Sequence, residues 1–145
     1  MLSEDFREFL RLLNENHVEY LVVGGYAVGL YGYPRYTGDL DIWVRSTNEN
    51  GERVMEALKQ FGFGSLEVKA RDFTVENAVV QLGYPPLRID LVTTLDGVNF
   101  DDCYSRASSR EVDRLVINVI SSDDLKKNKQ ATGRSRDLDD LENLH

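Results

Sequence analysis

The chain has 145 residues, of which 41% are hydrophobic and 29% charged, with a net charge of −8 and one cysteine. This length suits one folded domain, and we expect residues 1–145 to form it. The acidic balance disfavours general nucleic-acid binding, although a local basic patch would permit it. A lone cysteine argues against disulfides and cysteine metal sites and is typical of a cytoplasmic protein. No apolar run is long enough to cross a membrane, and the acidic N-terminal stretch is unlike a signal peptide.

The first half of the chain predicts helices and strands in alternation. Ser3 is a candidate N-cap for a first helix, whose apolar side chains recur with helical spacing. The elements predicted after it are a buried strand at Tyr20–Val23, a short helix at 26–31, a strand at 40–44, and a helix from candidate caps in 46–50 to about Phe61. Glycines at 62 and 64 end this last helix.

The second half is richer in predicted strands. Its predicted elements are a strand or irregular piece near 66–68, a turn or short helix near 73–77, strands at 79–82, 87–93 and 114–120, a short helix at 100–107, a helix from Ser121 or Ser122 to Gln130, and a last helix carrying Leu138, Leu141 and Leu144. Together the elements favour an α/β (α+β) fold with a mixed sheet of about five strands flanked by helices.

Asp39 and Asp41 lie inside the second apolar strand. Residues two apart on a strand point to the same face, with roughly 6.6 Å between their Cα atoms. Two such carboxylates repel each other and need an opposite charge, which a divalent cation with oxygen ligands, such as Mg²⁺, supplies. The alternative is a strand edge with two solvated carboxylates.

Asp90 lies in a later alternating strand and would complete a three-carboxylate cluster if that strand neighbours the first pair. Such a cluster suits two metal ions that activate an oxygen for attack on a phosphoryl group. The alternative role for Asp90 is a surface ion pair with Arg88 or Arg35. The Gly24-Gly25 turn, which precedes a short helix, exposes backbone N–H groups and favours a phosphate, unless it is a plain tight turn.

This order of motifs, an apolar strand ending in Gly24-Gly25, then Asp39-Leu40-Asp41-Ile42, then Arg88-Ile89-Asp90-Leu91, resembles the nucleotidyltransferase superfamily with the polymerase beta-like fold. Within it the chain is similar to small stand-alone bacterial proteins related to abortive-infection nucleotidyltransferases. The segment from Ser122 through Gly133-Arg134 to Leu141 also resembles theirs. Many relatives carry Gly-Ser where this chain has Gly24-Gly25, so one phosphate-binding hydroxyl is missing here.

The resemblance implies transfer of a nucleoside monophosphate from a nucleoside triphosphate (NTP) to a hydroxyl acceptor, with release of pyrophosphate. It implies that Asp39, Asp41 and Asp90 hold Mg²⁺ or Mn²⁺, two ions in all, and that Asp90 also acts as the base. Gly24 and Gly25 would lie under the triphosphate. Arg35 and Lys129 are weaker nucleotide-binding candidates, each with solvated charge as the alternative.

The acceptor, a protein, an RNA or a small molecule, is not identified by any motif. The net charge mildly disfavours RNA. A homodimer or a partner protein would be needed to build an acceptor wall, unless the acceptor is small. Two other functions fit the same residues: a component of a toxin–antitoxin system, and a catalytically inert module that binds nucleotides or proteins.

Overall fold

The computed structural model describes residues 2–32, 38–64, 67–84 and 87–133, together with 141. Its strands are, in chain order, β1 (Tyr20–Val23), β2 (Asp39–Val44), β3 (Val79–Tyr84), β4 (Leu87–Val92), β5 (Ser108–Val112) and β6 (Leu115–Val119). Its α-helices are α1 (Glu4–Glu15), α2 (Gly24–Leu30), α3 (Asn48–Leu58), α4 (Phe100–Ser105) and α5 (Ser122–Thr132). A π-helical turn at Lys59–Phe63 and a 3-10 helix at Ala70–Thr74 complete the described elements.

The six strands form one mixed sheet in the order β3-β4-β2-β1-β6-β5. Strand β2 lies near its centre, antiparallel to β1 and parallel to β4, and both pairings are continuous in register. The predicted mixed α/β fold is confirmed, with six strands instead of about five. The additional strand is β5, whose half-exposed polar sequence lacks a strong apolar alternation and is held at the sheet edge by its hairpin partner β6.

The apolar core lies on the face of the sheet that carries Leu40 and Ile42, both fully buried. Side chains of α1 and α2, including Leu10 and Leu30, meet Leu40 around one small apolar cavity. Helix α1 begins at the predicted cap, because the Ser3 hydroxyl accepts a hydrogen bond from the backbone N–H of Phe6 at 3.1 Å. The alternation in β2 therefore buries one set of side chains and turns the other toward the opposite face.

Helices α4 and α5 lie over that opposite face. The ring of Phe100 in α4 packs edge-to-face against Trp43 of β2, with ring centroids 5.1 Å apart, and the Arg45 guanidinium lies 4.8 Å from the Phe100 ring centre. Trp43 therefore packs between the sheet and α4. Ser121, one of the two predicted caps, begins α5 by accepting a hydrogen bond from the backbone N–H of Asp124.

A buried ion pair joins α4 to the start of α5. Asp124 is fully buried, and Arg106, at the end of α4, donates two hydrogen bonds to it at 2.9 and 3.0 Å. Burial alone would raise the pKa of Asp124, but the hydrogen bonds from Arg106 and Ser121 hold it below its usual value. The pair therefore fixes where α5 lies on the sheet, and Cys103 is buried beside it.

The remaining predictions from the sequence concern the region 66–77, two arginines, the C-terminal helix and the absence of membrane spans. Of the strand or irregular piece predicted near 66–68, residues 67 and 68 are irregular, and residue 66 lies outside the described part of the chain. The turn or short helix predicted near 73–77 lies earlier, as the 3-10 helix Ala70–Thr74. Arg35 and Arg134 lie outside the described residues, as does the predicted last helix except for position 141. None of the helices in the described part of the chain combines the length and apolar character that crossing a membrane requires.

Arg106→Ala should lower the free energy of unfolding by about 2 kcal/mol, because the buried Asp124 carboxylate loses two hydrogen bonds and keeps only the more distant charge of Lys127, 3.8 Å away. Arg53→Ala is the matched control, since Arg53 pairs with Glu49 one turn away on the exposed side of α3 and should cost less than about 0.5 kcal/mol. Urea denaturation of both variants measures the difference. Equal losses would show that the buried pair does not anchor α5.

Candidate active site

Three carboxylates meet where β2 and β4 pair. Asp41 and Asp90 are direct Cα partners across the two parallel strands, and Asp39 lies two residues before Asp41 on the same face. Asp90 is 8% exposed, whereas the side chain of Asp39 is 44% exposed. The structure therefore confirms that β4 neighbours β2 and brings the three predicted carboxylates together.

The cluster concentrates negative charge around Asp41. Burial, together with the negative charges of Asp90 and Asp39, raises the pKa of Asp41 from 3.8 to about 6. The positive charges of Lys129 and Arg88 act in the opposite direction. An added positive charge beside Asp41 would therefore stabilise its ionised form.

Gly24 makes room for the Asp41 carboxylate. It begins α2 directly after β1, with a positive φ of 66°, and a Cβ added there would lie 2.2 Å from Asp41 Oδ2. Gly25 is buried and continues the helix. The Gly24-Gly25 motif and the Asp39/Asp41 motif therefore meet in space because β1 and β2 pair with Val23 opposite Asp41.

Lys129 reaches the same place from α5. It is 6% exposed and interacts electrostatically with Asp41. It lies on the buried side of the helix, one turn after Leu125, and its role in nucleotide binding stays a prediction. Helix α5 is held close to the sheet by Asn128, which donates to the carbonyl oxygen of Asp96 at 3.0 Å.

Arg88 contacts more of the carboxylate cluster than the sequence predicted. Its Nη2 lies 3.2 Å from Asp39 Oδ2 and 3.1 Å from Asp90 Oδ2, so one guanidinium contacts two of the three carboxylates. Sequence reasoning considered Arg88 only as a surface partner for Asp90. The available signal was its position two residues before Asp90, which places both side chains on the same face of β4.

The carboxylate oxygens of the cluster are chemically suited to bind a divalent cation. Carboxylate oxygens are the ligands that Mg²⁺ prefers, and Asp90 Oδ1 is buried without a hydrogen bond of good geometry, although Arg88 Nε lies 3.0 Å away. Within the described ranges, no group of three or more Asp, Glu, His or Cys side chains is arranged to enclose a metal ion. In this conformation Arg88 supplies the charge between Asp39 and Asp90 instead.

Gly24→Ala should lower the free energy of unfolding by about 1–3 kcal/mol, because alanine is strained at positive φ and its Cβ would displace the Asp41 carboxylate. Gly29→Ala is the control in the same helix, where a Cβ meets no atom within 4 Å and should instead stabilise α2 slightly. Urea denaturation compares them. A Gly24→Ala variant as stable as Gly29→Ala would contradict the close approach.

Asp41→Asn should stabilise the metal-free protein above about pH 6 by about 1–2 kcal/mol after solvent screening. The raised pKa of about 6 means that the folded protein holds this proton more tightly than the unfolded chain does. Asp41 therefore favours folding at low pH, and that advantage disappears as the pH rises through about 6. Near pH 4 the variant and the wild type should differ little.

Thermal unfolding in EDTA across this pH range measures the effect. Glu52→Gln removes an exposed carboxylate from α3 and should show no such pH-dependent gain. A constant difference between Asp41→Asn and the wild type at all pH values would mean that the Asp41 pKa is not raised.

Solved structures with the same fold belong to nucleotidyltransferases and related proteins. TM1012 of Thermotoga maritima, assigned as a nucleotidyltransferase, aligns with a TM-score of 0.65 at 16% identity over 95% of this chain and 88% of its own. The lincosamide antibiotic adenylyltransferase LnuA, bound to lincomycin, aligns with a TM-score of 0.60 at 17% identity over 99% and 96%. An antigenic nucleotidyltransferase-like protein of Paracoccidioides brasiliensis gives 0.54 at 17% over 97% and 75%.

These identities establish likeness of fold. No curated protein matches the chain. The family model described as "Nucleotidyl transferase of unknown function (DUF2204)" matches residues 2–145. The carboxylate cluster beside a glycine turn thus lies in a fold that nucleotidyltransferases share, and the family model matches nearly the whole chain. The chain belongs to this family of nucleotidyl transferases.

Proposed function

We propose that this protein transfers a nucleoside monophosphate, with adenylate from ATP as the first candidate, to a hydroxyl acceptor and releases pyrophosphate. The observation that carries the proposal is the pairing of Asp41 with Asp90 across β2 and β4, with Asp39 on the same face and Gly24 in contact distance of Asp41. This arrangement gathers acidic side chains beside a backbone turn that has no side chain to exclude a phosphate.

Asp39, Asp41 and Asp90 are the residues that would hold Mg²⁺ or Mn²⁺, and two ions are proposed. When bound, these ions would offset the charge of the triphosphate and polarise the reacting oxygens. Asp90, the most buried of the three, is the proposed base that accepts the proton of the acceptor hydroxyl. A carboxylate is suited to this role only when it is deprotonated and within hydrogen-bond distance of that hydroxyl.

The protein's own positive charges and glycines have a binding role in this proposal. Lys129, held beside Asp41 by α5, would contact the phosphate oxygens, and the backbone N–H groups of Gly24 and Gly25 would donate to them. Arg35, which lies outside the described residues, stays a candidate for the same triphosphate. A lysine at this position balances both the carboxylates and the incoming phosphates.

A small hydroxylic acceptor is the class we favour. The fold likeness to LnuA covers 96% of that protein, a lincosamide antibiotic adenylyltransferase bound to lincomycin. LnuA is therefore an adenylyltransferase of similar extent whose bound compound is a small molecule, and this likeness supports a small acceptor for the present protein. The net charge of −8 also favours a small molecule or a protein over RNA. A cytoplasmic location, which the lone cysteine suggests, agrees with access to NTPs.

Incubation with each α-³²P-labelled NTP and Mg²⁺ in cell extract should label an acceptor and release pyrophosphate, with ATP giving the strongest signal. Asp41→Asn should reduce the rate by at least about 10³-fold, because it removes a proposed metal ligand. Lys129→Met should reduce it by about 10–100-fold through weaker phosphate contacts. Chromatography of the label separates protein, RNA and small-molecule acceptors.

Lys126→Met is the matched control, because it removes the same charge from a more exposed face of α5 and should leave labelling within about twofold. Tight NTP binding with no label transfer to any fraction would identify an inert nucleotide-binding module instead. Labelling that survives Asp41→Asn unchanged would place the reaction elsewhere.

A further inference from the structure

Arg88 lies at the centre of the carboxylate cluster and belongs to none of the roles assigned so far. It is the Cα partner of Asp39 across β2 and β4, and it precedes Asp90 by two residues on the same face. Its Nη2 contacts both Asp39 Oδ2 and Asp90 Oδ2, and its Nε lies 3.0 Å from Asp90 Oδ1. One planar cation therefore spans two carboxylates that a metal ion would also need.

The same carboxylate lone pairs cannot serve a guanidinium and a metal ion at once. Arg88 donates hydrogen bonds along directions that a coordinated cation would occupy, and two positive charges at this distance repel each other. The fit of Arg88 is also incomplete, because its Nε and Asp90 Oδ1 are close without forming a directed hydrogen bond. The guanidinium thus offsets the charge of Asp90 without satisfying it fully.

Asp41 differs from Asp39 and Asp90 in its interaction with Arg88. No hydrogen bond joins Arg88 to Asp41 in the contacts described, and the interaction between them is electrostatic only. Asp41 is therefore the one carboxylate of the three to which Arg88 donates no hydrogen bond. The Arg88 side chain is 28% exposed, so its long chain has a route by which to withdraw toward solvent.

We infer that Arg88 holds Asp39 and Asp90 in place in the metal-free protein and competes with a divalent cation for these two carboxylates. Arg88 is then a positioning residue, and the metal ion binds as its guanidinium withdraws. This inference rests on the metal site of the proposed function. It has the consequence that the apparent affinity for metal is lower than three carboxylates would otherwise give.

The test is titration with Mn²⁺ alone, without nucleotide, followed by electron paramagnetic resonance of the free ion. Arg88→Gln should bind Mn²⁺ about tenfold more tightly than the wild type, because the competing hydrogen bonds to two carboxylates are gone. Arg88→Lys should lie between them, since a single ammonium keeps the charge but cannot span both carboxylates in the same way. In EDTA, Arg88→Gln should also melt at a lower temperature than the wild type.

Arg53→Gln is the matched control for net charge, because Arg53 pairs with Glu49 on the exposed side of α3. It should leave Mn²⁺ binding unchanged. Tighter binding by Arg88→Gln than by Arg53→Gln supports the inference. If Arg88→Gln does not remain folded by circular dichroism, the position of Arg88→Lys relative to the wild type decides in the same way.

Two failures are distinguishable. If the wild type binds Mn²⁺, Asp41→Asn does not, and Arg88→Gln binds no more tightly than the wild type, then the metal site stands and the competition by Arg88 is refuted. If the wild type, Asp41→Asn and Arg88→Gln all fail to bind Mn²⁺, or all bind it equally, then the carboxylates do not form a metal site. In that case both the inference and the metal-dependent part of the proposed function are overturned.

Discussion

The parallel pairing of β2 with β4 forces three carboxylates onto one small area of the sheet. Asp41 faces Asp90 directly, and Asp39 shares their side, so the strands place like charges together in partly buried surroundings. This repulsion has to be offset by something, and much of the site consists of groups that do so. Arg88 contacts two of the carboxylates, and Lys129 acts on the third from a helix on the same face.

Burial of the apolar face of the sheet offsets the destabilising effect of this concentration of charge. Leu40 and Ile42, on the other face of β2, are completely buried, and the neighbouring Leu91 of β4 is buried with them. Burial of such side chains stabilises a fold by roughly 1.5–3 kcal/mol each, which is enough to hold a strand that carries an unfavourable carboxylate. The buried apolar side chains of β2 thus stabilise a strand whose opposite face carries the carboxylates.

Helix α5 connects the stability of the fold with the electrostatics of the site. Its start is anchored by the buried pair of Asp124 with Arg106, and its middle by Asn128. Gly97 lies so close to it that an added Cβ would come within 2.6 Å of the Ala131 Cβ. A helix held so closely keeps Lys129 in a fixed place beside Asp41, where a solvated lysine would have been free to turn away.

The sequence by itself predicted most of the elements, although not β5, and it singled out the residues of the candidate site. The apolar alternation around Asp39 and Asp41, the Gly24-Gly25 pair and the alternation around Asp90 are local patterns, so they were readable without a structure. Only the tertiary structure decided that Asp41 lies opposite Asp90, that Gly24 leaves room for the Asp41 carboxylate, and that Arg88 spans two acidic side chains. The physical reason is that strand register and charge pairing depend on contacts between residues seventeen to forty-nine positions apart, which no local pattern encodes.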